Sequence, residues 1–86
     1  MTKQIKLILL MNNHILVSQI EEVSSELGEP DCRLIKPYIV NQSSSTLTPW
    51  ISDFTGEDTY MIHSDKILTI TDPKPTLLEK YQNLTK

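Results

Sequence analysis

Apolar positions along this chain of 86 residues come in short blocks separated by turn-forming residues. Lys6 to Met11 is a compact isoleucine- and leucine-rich run of strand length, and Asn12-Asn13 supplies a turn, because asparagine tolerates the left-handed backbone of a tight hairpin. His14 to Val23, "HILVSQIEEV", resumes with the β-branched residues Ile15, Val17 and Ile20. Its polar residues Ser18, Gln19, Glu21 and Glu22 break strict alternation and predict a bend or bulge. Ile15, Leu16, Gln19, Ile20 and Val23 also fit helical spacing, but the asparagine turn and the β-branched content favour a strand. Ser24 to Asp31 reads as a loop and Cys32 to Asn41 as a third strand, in which Pro37 marks an edge, a bulge or a bend. A polar tip over Gln42 to Thr48, with three serines at 43–45, leads to a fourth strand in two pieces, 49–51 and 58–63, interrupted by "SDFTGED". Lys66 to Thr71 is the fifth strand.

Asp72-Pro73-Lys74-Pro75 stops the strands, since proline cannot donate to a ladder. Thr76-Leu77-Leu78-Glu79 has the form of a capping box opening a helix over about 76–84, with Leu77, Leu78, Tyr81 and Leu84 on one face. A helix this short is unstable alone, so that face must pack on the sheet or on a neighbour. The pattern predicts an all-β fold: a small, strongly bent five-stranded antiparallel sheet or barrel over about 6–71, plus one short C-terminal helix, in a single domain covering 1–86.

Size then changes the picture. A domain this small buries only about 60–65% of the surface its unfolded chain exposes and usually needs a staple. Cys32 is the only cysteine, which excludes an intrachain disulfide, and Cys32, His14 and His63 match no zinc spacing. Oligomerisation is the remaining route. No run approaches a membrane span, and the N-terminus lacks a signal-peptide core, so a cytoplasmic protein with no membrane partner is expected. The net charge of −3 and pI near 5.2 provide no global field for nucleic acid. The basic residues Lys3, Lys6, Arg33, Lys36, Lys66, Lys74, Lys80 and Lys86 form no run.

Catalytic signals are weak. The two glycines, Gly28 and Gly56, make no phosphate loop. Cys32 with His14 or His63 could be written as a nucleophile pair, but Cys32 reads as a small apolar strand residue. Asp53, Glu57 and Asp58 read as turn-capping carboxylates beside Gly56 rather than as an acid/base pair. Trp50 reads as a cover for one end of a small core rather than a stacking platform for a base. The expectation is a non-catalytic protein without metal or cofactor.

"IHSDKILTI", Ile62 to Ile70, resembles the second motif of the Sm/LSm/Hfq family, Ile-Arg-Gly-(Asp/Asn)-x-Ile/Val-x-x-Ile. Ile62, Asp65, Ile67 and Ile70 fall on that pattern, with His63 in place of Arg and Ser64 in place of Gly. "LLMNNHILVSQIEEV" is similar to the first half of the first motif, with Asn12-Asn13 as the turn and Ser18 in place of a glycine. The end of that motif falls on Glu29 to Leu34, where only Glu29 and Leu34 agree well. The family's N-terminal helix has no counterpart before Lys6; the helix stands at the C-terminus instead.

The resemblance implies a barrel that closes rings of roughly five to seven copies of itself by pairing the fourth strand of one copy with the fifth of the next. The interface would then hold Tyr60, Met61, Ile62, Ile67, Leu68, Thr69 and Ile70. It also implies single-stranded RNA held at pore-side loops, and carries that role to Asp31, Arg33, His63, Ser64 and Asp65. The alternative is a ring-forming protein-interaction or structural module without a nucleic-acid ligand, favoured by the acidic pI and by the departures at the RNA-binding positions.

Overall fold

The computed structural model describes residues 4–24, 26–44 and 46–85, and only the backbone at 52 and 53. Lys3, Ser45, Lys86 and the side chain of Asp53 lie outside the described residues. The chain is mostly β. Six strands, β1 (Gln4–Leu10), β2 (Ile15–Glu22), β3 (Cys32–Asn41), β4 (Thr46–Pro49), β5 (Thr59–Ile62) and β6 (Ile67–Thr71), form one sheet. A short helix α1 (Ser52–Thr55) separates β4 from β5, a 3-10 turn (Ser64–Lys66) separates β5 from β6, and helix α2 (Pro75–Leu84) ends the chain.

The sheet order is β4-β3-β2-β1-β6, and β5 also pairs with β3; every pairing is antiparallel. β4 and β5 are the two pieces expected of the fourth strand. They lie on the two halves of β3, at Tyr38–Asn41 and Cys32–Ile35 respectively. The first piece begins at Thr46, inside the stretch read as a polar tip, because Thr46 and Thr48 hydroxyls accept from the Asn41 side-chain amide at 2.9 Å each and extend the pairing. No pairing joins β5 to β6, so the sheet stays open between them. The expected closed barrel is therefore not formed within one chain.

Local chemistry explains the turns. Asn13 takes φ 68°, its N–H donates to the Leu10 carbonyl, and the Asn12 side-chain oxygen accepts from the His14 N–H, closing the β1–β2 hairpin. The irregularity read in the second strand is a register shift between Val17 and Gln19. Ser18, fully buried there, donates its hydroxyl to the Gln19 and Ile35 carbonyls. Across the ladder Lys36 takes φ 53° just before Pro37, so both strands kink together.

The kink also recruits α2. On one face of the sheet Ile8, Leu10, Leu16 and Leu34 form the core, with Ile20, Ile39, Trp50, Ile62 and Ile67 packed against it. On the other face Val17 and Ile35 are buried along with Tyr81 of α2. The Tyr81 ring meets Tyr38 edge-on, with centroids 5.8 Å apart. Its hydroxyl accepts from the Gln19 N–H at 3.2 Å and faces the Ile35 and Lys36 carbonyls at 3.1 and 2.9 Å. It thereby satisfies backbone groups that the bulge removes from the ladder. The capping box does not form: α2 starts one residue earlier, with Pro75 in its first turn and Lys74 as an N-cap that makes no side-chain bond. Pro75 supplies the fixed φ of a first helical turn, so the Thr76 hydroxyl is not required there.

Candidate functional site

Asp31 ends the β2–β3 loop, and Ser64 opens the 3-10 turn between β5 and β6. One Asp31 carboxylate oxygen accepts the Ser64 N–H at 2.8 Å, and the other accepts the Ser64 hydroxyl at 2.7 Å. These bonds, the side-chain one first, hold the Asp31 pKa below its ordinary value, with a further contribution from His63. Lys66 extends the same network: its N–H donates to the His63 carbonyl, and its carbonyl accepts from the Met11 N–H at 2.9 Å. The stretch "HSDK" is thus a turn fixed from two sides.

A carboxylate with a lowered folded-state pKa contributes stability above its unfolded pKa and loses it as pH falls through the folded value. The Ser64 amide should therefore shift in an NMR titration below about pH 4. In Asp31→Asn that acid transition should vanish, while hydrogen exchange at Ser64 becomes faster already at neutral pH. An unchanged Ser64 titration in the variant would mean that Asp31 does not hold the turn.

The structure brings Asp31, His63, Ser64 and Asp65 together around one shallow depression shared with Gly28 and Glu29. Its acidic side chains, Glu29, Asp31 and Asp65, repel phosphate. Arg33 does not join them. It lies opposite Glu21 in the β2–β3 register and donates to its carboxylate at 2.5 Å, with the Glu21 side chain only 13% exposed. In the sequence Glu21 reads only as a polar break in the second strand; the cross-strand pairing that aligns it with Arg33 becomes visible only once the register is known. Cys32 is buried, and burial first, then Asp31 and Glu22, pushes its thiol pKa up, which keeps it protonated and a poor nucleophile. No group of three or more His, Cys, Asp or Glu side chains among the described residues is arranged to hold a metal. No described helix is long and apolar enough to cross a membrane.

The seven edge residues divide by direction. Ile62 and Ile67 turn into the core, and the Tyr60 ring packs edge-on against Trp50, with centroids 6.2 Å apart. Met61, Leu68 and Ile70 remain 47%, 58% and 47% exposed, with exposed Thr69 between the last two. Ile70 is opposite Ile8 in the ladder, hence on the core-bearing face, yet it stays half open because no strand follows β6. The gap it borders, about 420 Å³, is also lined by Ile20 and Cys32. Two unpaired strand edges with apolar side chains beside them are a surface on which another strand can pair.

A small antiparallel β domain with one packed C-terminal helix is the class this architecture defines. The chain belongs to a family of unknown function, DUF6561, whose model matches residues 3–86. A search among curated proteins finds no match.

Proposed function

We propose that this protein is an Sm-like assembly module: copies join edge to edge through β5 and β6 into a closed ring that serves protein interaction or scaffolding, without catalysis. The observation that carries the reading is the pair of open edges at β5 and β6, with Met61, Leu68 and Ile70 exposed along them. The Sm-like part draws support from the strand path, in which consecutive antiparallel strands lead to a last strand that returns to β1 across a 3-10 turn. The small core gives independent support. Few apolar residues are buried among the described ones, and a second copy covering the β6 side would add Ile70 and the gap beside it.

The residues carried over as RNA contacts favour scaffolding over RNA. Asp31 and Ser64 are engaged with each other, Arg33 with Glu21, and the loop around His63 and Asp65 is acid-lined. The test pairs mass by sedimentation with fluorescence anisotropy of labelled oligo-U and oligo-A. The reading expects an oligomer of roughly five to seven copies that leaves both RNAs unbound at low salt. Saturable binding that weakens with salt and with Arg33→Ala or His63→Ala would instead establish RNA as the ligand. A monomer at every concentration would remove the assembly reading.

A further inference from the structure

A cleft of about 210 Å³ lies where β5 begins, lined by Pro37, Tyr38, Pro49, Asp58, Tyr60 and the C-terminal turn of α2 at Leu84, with Lys36 at its margin. Aromatic and proline side chains around a groove are the lining that recognises polyproline-type segments, which bind well because their backbone is already extended. The cleft wall is fixed. The Lys36 N–H donates to the Asp58 carbonyl at 2.6 Å, the Trp50 N–H donates to the Pro37 carbonyl at 3.0 Å, and the Tyr60 hydroxyl donates to the Glu57 carbonyl. Asp58 also borders an acidic depression lined by Gly56, Glu57 and Thr59. Neither Glu57 nor Asp58 forms an ion pair among the described residues.

The chain carries a segment of matching chemistry. Pro73-Lys74-Pro75 directly follows β6, and Lys74 has φ −62° and ψ 151°, the polyproline II conformation. Lys74 and Pro75 are exposed, and Lys74 makes no ion pair among the described residues. Asp72, just before it, is held by Lys6 at 2.6 Å, which anchors the segment's start.

We infer that Pro73-Lys74-Pro75 of one copy docks in the Tyr38/Pro49/Tyr60 cleft of the next, with Lys74 against Asp58 and Glu57. This rests on the edge-to-edge assembly proposed above. All five pairings in the sheet are antiparallel. If β6 meets a neighbouring β5 in the same sense, the end of β6 lies toward the start of β5, and the residues that follow β6 run toward Asp58 and Glu57. The contact would act as a charge-coded latch at the end of each strand pair, adding register and partner choice to an edge that backbone pairing alone leaves unspecific.

The test measures the dissociation constant of the assembly by sedimentation velocity at low and high salt, for the wild type, Lys74→Glu, Asp58→Lys and the double charge swap, with circular dichroism to follow the fold. Each single change should weaken assembly about tenfold or more at low salt, and the double swap should restore most of it. The single changes should matter less at high salt. An assembled wild type that neither single change weakens, while Ile70→Lys dissociates it, would overturn the latch and leave edge pairing standing. Weakening by Lys74→Glu without rescue by the swap would overturn the pairing of Lys74 with Asp58. A monomeric wild type would overturn both the latch and the assembly beneath it.

Discussion

Tyr81→Phe is expected to lower the unfolding free energy by about 1–3 kcal/mol, although it removes a single oxygen atom. That hydroxyl accepts from the Gln19 N–H and lies within hydrogen-bond reach of the Ile35 and Lys36 carbonyls, at the place where the β2–β3 ladder is broken. Without it, buried backbone groups lose a partner that no neighbouring strand can replace. Tyr81→Ala should cost about 3–5 kcal/mol, since it also empties the fully buried site over Val17 and Ile35. A domain of this size is stable by only about 4–13 kcal/mol, so the alanine variant approaches the limit of folding. Thermal melts check this directly: the phenylalanine variant should melt several degrees to about 20 °C lower than the wild type. Equal melting temperatures would show that the kink does not depend on α2.

Ile70→Lys and Met61→Lys should each dissociate the assembly at concentrations where the wild type is fully associated, weakening it about tenfold to a hundredfold. The two residues lie on opposite outer edges, so the same result from both is what a β5-to-β6 contact requires. Either lysine can extend its ammonium to water in the free monomer, because both positions are about half exposed there, and the monomer fold should persist. Within a paired edge the same charge must be desolvated, and that difference drives dissociation. Light scattering with circular dichroism separates lost assembly from lost fold. If Met61→Lys acts and Ile70→Lys does not, copies meet through β5 alone, as in a two-fold dimer.

Much of this architecture was legible in the chain because its signals are local. The Asn12-Asn13 hairpin, the irregularity at Ser18, the third strand from Cys32 to Asn41 and the split fourth strand follow from turn chemistry and short apolar runs. What failed locally failed for a physical reason: the helix start moved to Pro75, whose fixed φ substitutes for the Thr76 cap. The site was less legible, because partners come from distant sequence. Asp31 meets Ser64 across 33 positions, and Tyr81 meets Ile35 across 46. The resemblance to the Sm motifs carries a ligand-contact role to both Asp31 and Arg33. Asp31, in the loop just before β3, is bonded to Ser64, whereas Arg33, within β3, is paired across the ladder with Glu21.

The most direct test of the central claim is the mass of the wild-type protein in sedimentation velocity over a wide dilution series, read beside its melting temperature. The account predicts one closed species of several copies that gives way to monomer on dilution, with the melting temperature falling in step. A monomer throughout, with a melting temperature independent of concentration, would contradict it.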